Sequence, residues 1–129
     1  GGKAEALQCD ISDFTKAGEM MDYVIKTYGR VDILVNNAGI TRDGLLMKMS
    51  EEDFDAVLNI NLKGAFNCMR HVARQMVKQR GGRIINISSV VGLHGNAGQD
   101  SKRIFSFRNY GKCRTGQLFR IQSRNHRND

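Results

Sequence analysis

The side chains in this sequence that could do chemistry are mostly amides and hydroxyls: Asn37 in the run Asn37-Ala38-Gly39, Asn61, and the pair Ser88-Ser89. Such groups hold and orient ligands by hydrogen bonds. Nucleophilic attack is not indicated, because Ser89 lacks a G-x-S-x-G elbow and neither His71 nor His94 has a supporting carboxylate pattern. Cys9, Cys68 and Cys113 are odd in number and lack paired short spacing, so reduced, mostly buried thiols are expected, with no disulfide frame and no metal centre. Taken singly, each polar residue also has a structural reading. Asn37-Ala38-Gly39 can be the turn after a strand, Asn61 can fill a helix kink by bonding freed backbone, and Ser89 can be a loop serine.

The elements around these residues follow an α/β grammar. Residues 4–9 read as a short strand, and Ser12 can cap a helix running to Tyr28, whose Phe14, Ala17, Met21, Val24 and Ile25 recur at helical spacing before Gly29. Residues 31–36 (VDILVN) read as a strand buried on both faces and ending at Asn37-Ala38-Gly39. Strand, helix, strand is the pattern of a parallel sheet. Residues 41–49 read as an irregular connection or short helix. Ser50 with Asp53 then forms a capping-box variant that opens a helix over residues 50–80. That length is unusual for a globular helix, so a kink is expected at residues 59–64. Residues 83–88 (RIINIS) form a further strand, delivering Ser88 and Ser89 at its carboxyl end, the edge where open α/β sheets take ligands.

Composition divides the chain in two. Residues 1–99 carry 12 Lys/Arg against 11 Asp/Glu, whereas residues 100–129 carry 8 against 2. The expected organisation is one partial domain over residues 1–100 and an irregular basic tail over residues 101–129. The tail's cations follow no helical face, and no nucleic-acid-binding module accompanies them, so nucleic acid is not an expected partner. The longest apolar runs fall far short of the roughly 20 residues that span a bilayer, and Gly1-Gly2-Lys3-Ala4 is no signal peptide. A cytoplasmic setting without membrane contact is expected.

Together and in this order, Leu34-Val35-Asn36-Asn37-Ala38-Gly39-Ile40, Asn61-Leu62-Lys63-Gly64 and Arg83-Ile84-Ile85-Asn86-Ile87-Ser88-Ser89-Val90-Val91-Gly92 resemble the short-chain dehydrogenase/reductase family. Within it, Gly39-Ile40-Thr41-Arg42-Asp43 and the segment from Gly92 to Gln99 are most similar to 3-oxoacyl-acyl-carrier-protein reductases. The resemblance implies an incomplete Rossmann-type doubly wound parallel sheet. It also implies hydride transfer between NADP(H) and a 3-oxoacyl group carried on acyl carrier protein, in fatty-acid synthesis. By position, Asp10 and Ile11 would face the adenine, Asn37, Ala38 and Gly39 would line the cofactor, Ser89 would hydrogen-bond the substrate carbonyl, and Asn61 would hold a water of the proton relay. A developing alkoxide needs a donor already aimed at it and a proton source of suitable pKa.

The resemblance also implies what this chain lacks. The family's proton donor is a Tyr paired with a Lys four residues later, expected by spacing at positions 102 and 106, where this chain has Lys102 and Ser106. Tyr110 is followed by Arg114, which cannot serve as the titratable partner. The Gly-rich phosphate turn belongs to a first βαβ unit that the sequence does not contain. In the strand order 3-2-1-4-5-6, residues 4–9 answer to the third strand and residues 31–36 to the fourth, leaving unpaired edges between them. NADP(H) binding is expected to be impaired and the isolated chain inactive.

The missing pair has a trace. Residues 112–129 can be written in synonymous codons that, read one nucleotide on, spell Asn-Ala-Gly-Gln-Asp-Asn-Tyr-Ser-Ala-Ser-Lys-Ala-Gly-Ile-Ile-Gly-Met-Thr. Its first five residues repeat Asn96-Ala97-Gly98-Gln99-Asp100, and a Tyr-x-x-x-Lys follows. The tail from about Ser101 is therefore read as a duplication plus a frame change. The alternative to a reductase is a non-catalytic fragment that self-associates through the helix over residues 50–80, on a face carrying Phe66, Met69, Val72 and Met76. Intact family members are expected to be homo-oligomers.

Overall fold

The computed structural model describes residues 1–42 and 44–88. Ser89, the cysteine at 113 and the whole of residues 101–129 lie outside them. The elements run α1 (Phe14–Tyr28), β1 (Ile33–Asn36), a single 3₁₀ turn (Leu46–Lys48), α2 (Glu51–Val57), a π-helical stretch (Leu58–Gly64), α3 (Ala65–Lys78) and β2 (Arg83–Asn86). β1 and β2 pair in parallel, with Ile33 opposite Arg83 and Asn36 opposite Asn86. The architecture is α/β with a parallel pair, as the sequence pattern requires.

Local chemistry sets the element ends. α1 starts one residue later than expected, with Asp13 as its cap accepting from the Lys16 amide at 3.0 Å. Ser12 lies one residue outside, in the turn before the helix, where its amide and hydroxyl both donate to Asp10 Oδ1, at 3.0 and 2.7 Å. The helix stops at Gly29 in a left-handed cap at φ 77°, its amide bonded to the Ile25 carbonyl. Ser50 caps α2 as expected: its hydroxyl oxygen accepts from the Asp53 amide at 3.1 Å and donates to Asp53 Oδ2 at 2.9 Å.

Two strand expectations are corrected. Residues 4–9 form no strand, because a strand exists only as half of a ladder and no described segment pairs with them. The segment is tied instead by Glu5, whose carboxylate accepts from the Tyr23 and Tyr28 hydroxyls at 2.5 and 2.6 Å. The strand over residues 31–36 is shorter, Ile33–Asn36, and it is covered on one face only. Leu34 and Ile84 pack toward the helices, while Ile33 (59% exposed), Val35 and Ile85 face outward. A continuous apolar run indicates a strand suited to burial on both faces; here the described helices supply one cover.

That cover is built by α1 and α3. Met21, Cys68, Val72 and Met76 form the core, with Ile11, Met20, Val31, Leu34 and Ile84 packed against it. Val72 is fully buried, a burial worth about 1.5–3 kcal/mol. Cys68 is buried and Cys9 half-buried, and desolvation pushes both thiols up. Beside the core, polar side chains recurring every four residues on and after α3 grip the backbone of α1 and its flanks. Asn67 Nδ2 donates to the Ile11 carbonyl at 2.8 Å, His71 Nε2 meets the Phe14 carbonyl at 2.8 Å, and Gln75 Nε2 donates to the Gly29 carbonyl at 3.2 Å. Since a carbonyl only accepts, His71 carries its proton on Nε2; its role is to tie two helices together.

Candidate functional site

The expected kink is a seven-residue π-helical stretch, Leu58–Gly64, with Asn61 inside it. Such stretches widen the helix and displace side chains from the regular register. The Asn61 carboxamide reaches the segment that leaves β1: Oδ1 accepts from the Ile40 amide at 2.8 Å, and Nδ2 donates to the Ile40 carbonyl at 2.9 Å. One side chain thus satisfies both backbone groups of one residue, as a neighbouring strand would. Gly39 lies close alongside: a Cβ there would stand 3.3 Å from Asn61 Oδ1, closer than such contacts usually come. The Asn61 side chain thus bonds Ile40 and not backbone freed within its own helix, and it ties the segment after Asn37-Ala38-Gly39 to the π stretch.

This feature forms a wall of a cavity of about 680 Å³ at the carboxyl ends of the parallel strands. Of the residues singled out in the sequence, Ile11, Asn37, Ala38, Gly39 and Asn61 line it together. Asp10 lines a neighbouring cavity that shares Met20 with the first. Ser89 lies outside the described residues; Ser88, its predecessor, is on the cavity wall. Asp10 is exposed, and its carboxyl is held below the usual range first by the Ser12 hydroxyl and then by the Ser12 amide. It is an anion ready to accept hydrogen bonds. Both Ser12 bonds fall on Oδ1, leaving Oδ2 its lone pairs for a ligand donor.

Two lining residues were missed in the sequence. Asn36 and Asn86 are register partners at the strand ends, with Asn36 Nδ2 donating to Asn86 Oδ1 at 2.7 Å. The signal was present: a polar residue closes each of two apolar strands at the same distance from the ligand edge. The loop from 37 onward is tied a second time by Arg42, whose Nε lies 3.4 Å from Asp53 Oδ1 in an exposed ion pair at the start of α2. Most of the remaining wall is apolar, with Met49, Phe54, Val57 and Phe66 contributed by the loop and helices opposite the strands.

The size and lining are those of a small-molecule site. Such sites are commonly about 300–1,000 Å³ with few polar groups. A planar ring could approach the backbone at Gly39, where no Cβ intervenes. Among the described residues, no three His, Cys, Asp or Glu side chains gather as a metal-ligating group, and no helix is long and apolar enough to cross a membrane.

The comparisons with known proteins agree with this geometry. A family model described as short chain dehydrogenase matches residues 1–101. The 3-oxoacyl-[acyl-carrier-protein] reductase FabG of Thermotoga maritima is 53% identical over 98 residues, covering 76% of this chain and 40% of that protein. The enzyme of the same name from Staphylococcus epidermidis is 48% identical over 99 residues, 77% of this chain and 41% of that protein. Among solved structures, ElxO with NADP bound superposes with a TM-score of 0.67 at 40% identity, covering 70% of this chain and 37% of that one. The chain spans about 40% of the length of the curated relatives it matches.

Proposed function

The chain belongs to the short-chain dehydrogenase family, and on that premise we propose that it carries the nicotinamide-facing side of an NADPH-dependent 3-oxoacyl-thioester reductase of fatty-acid synthesis. The observation that carries this reading is the two-point hold of Asn61 on Ile40, beside Gly39, in a cavity that also gathers Ile11 and Asn37. The kinship to FabG proteins supports the substrate class, a 3-oxoacyl chain on acyl carrier protein.

NADPH, when bound, supplies the hydride. Asp10 and Ile11 would hold the adenine end, with the Asp10 carboxylate as acceptor, and Asn37, Ala38 and Gly39 would line the nicotinamide end. Ser89 donates to the keto oxygen and stabilises the charge that develops on it. The Asn61 carboxamide holds Ile40 with one N–H and one oxygen lone pair, which leaves a second of each for a relay water. The apolar wall of Met49, Phe54 and Val57 takes the acyl chain.

The chain as it stands does not turn over. The final proton needs a donor where Lys102 and Ser106 now stand, and loss of a general acid costs about two to four powers of ten in rate. Incubation of the purified chain with NADPH and an acetoacetyl thioester is expected to give no turnover above a Ser89→Ala control. Turnover above that control would overturn the inactivity. The tail from about Ser101 is the product of a duplication and a frame change. The encoding DNA tests this: codons for residues 112–129 incompatible with the shifted Tyr-x-x-x-Lys peptide refute it.

A second reading, self-association, is favoured by Leu62, Phe66 (52% exposed) and Val77 (50%), which leave apolar surface on the long helix. Val72 and Met76, expected on that face, are buried within the chain. A light-scattering mass that stays dimeric in Phe66→Asp would exclude this surface.

A further inference from the structure

Asn67 is the only buried polar or charged residue among the described residues, with 0% of its surface exposed. Its Nδ2 donates to the Ile11 carbonyl at 2.8 Å. Its Oδ1 is buried with no hydrogen-bond partner. An unsatisfied buried oxygen is costly, and a leucine of similar shape would remove that cost. What the asparagine supplies, and leucine cannot, is the bond to Ile11.

That bond acts on a turn whose other bonds are internal or run into α1 through Asp13. Within residues 10–13, Asp10 Oδ1 takes the Ser12 amide and hydroxyl, and the Asp10 carbonyl takes the Asp13 amide at 3.1 Å. These bonds fix the turn's shape, and Asp13 joins its far end to α1. At Ile11 the turn is held by the long helix. Asn67 holds the Ile11 carbonyl, and Gly64, one turn earlier, makes room for the Ile11 side chain: a Cβ at Gly64 would stand 2.7 Å from Ile11 Cδ1 and 2.8 Å from Cγ1. Three residues before Gly64, Asn61 holds Ile40.

We propose that Asn67 is a positioning residue for the adenine end of the cofactor, and that one helix sets the distance between the two ends of the dinucleotide, with Asn67 placing the turn at Asp10-Ile11 and Asn61 placing the loop at Gly39-Ile40. This rests on the reading of the cavity as a dinucleotide site. The two asparagines act on different halves of the ligand, so their losses are separable.

The test uses the full 129-residue chain and two probes, adenosine 5′-monophosphate and nicotinamide mononucleotide, titrated separately while amide NMR signals are followed. In the unsubstituted chain the first probe is expected to shift residues 10–12 and the second residues 37–40. Asn67→Leu should weaken the adenine probe about tenfold or more and leave the nicotinamide probe within about twofold. Asn61→Leu should do the reverse. Asn67→Ser, which cannot reach the Ile11 carbonyl but keeps a small polar group, should repeat the Asn67→Leu pattern and serves if the leucine variant fails to fold. Equal weakening of both probes by both Asn67 variants, or no weakening of either, overturns the inference while leaving the site reading intact. If neither probe shifts the unsubstituted chain, the site reading and the inference fall together.

Discussion

The two ends of β1 are held by the same device put to different uses. At its start, Gln79 Nε2 donates to the Val31 carbonyl at 2.6 Å and Gln79 Oε1 accepts from the Val31 amide at 3.2 Å, both part-buried. Beyond its end, Asn61 makes the same pair of bonds to Ile40, both exposed. Each carboxamide stands in for a missing strand. Gln79 is embedded in further bonds, to the Gly81 carbonyl at 2.9 Å and from Gln75 at 3.2 Å, and lines no described cavity. Asn61 stands in a π-helical stretch on the wall of the large cavity. The difference teaches that hydrogen-bond geometry alone does not mark a site. Exposure to a cavity and irregular backbone are what set Asn61 apart, and on the proposed function the bond there holds a loop for a ligand.

The largest effect is expected at the start of the strand. Gln79→Ala leaves the part-buried Val31 amide and carbonyl unpaired, and should lower unfolding free energy by about 1–3 kcal/mol in urea titration. Asn61→Ala exposes its partners to water instead, so a loss of about 0.5–1.5 kcal/mol is expected. Equal losses would break the distinction. A smaller effect is expected from Arg42→Gln, which removes an ion pair about half exposed on both sides: about 0–1 kcal/mol at low salt, vanishing at high salt.

The smallest effect concerns the clasp of the N-terminal segment, which lies away from both ends of β1. The Tyr23 and then the Tyr28 hydroxyl hold the Glu5 carboxyl below its ordinary 4.5. Glu5 in turn raises both phenols above 10.0. The carboxylate's contribution is present above its ordinary value and is lost as pH falls through the depressed one. The phenols' contribution is present below 10.0 and is lost as pH rises through their raised values. Amide protection of residues 4–9 relative to the intrinsic exchange rate should therefore be greatest at intermediate pH, and Glu5→Gln should flatten the acid side. An unchanged acid limb in that variant would remove the clasp from the account.

Much of this was legible because the signals are local. The apolar period located α1 to within a residue, the excessive length of the helix over residues 50–80 located the break at residues 59–64, and the parallel pair followed from the strand, helix, strand order. What escaped depends on partners distant in the chain. Residues 4–9 have strand composition, but pairing cannot be read from one strand. The open face of Ile33, Val35 and Ile85 depends on what covers it. Asn67, His71, Gln75 and Gln79 form a stripe at four-residue spacing, yet a polar stripe on a helix ordinarily faces water, and only the packing of α1 turns it into a row of clamps.

The central claim is that the end of β1 is a cofactor site and its start a structural clamp. Titrating NADPH into the chain while following amide signals tests it most directly. The account predicts shifts concentrated at residues 37–40 and 61 and reduced by Asn61→Ala, with residues 31 and 79 unmoved. Shifts at 31 and 79 of the same size as those at 37–40, or none at 37–40, would contradict it.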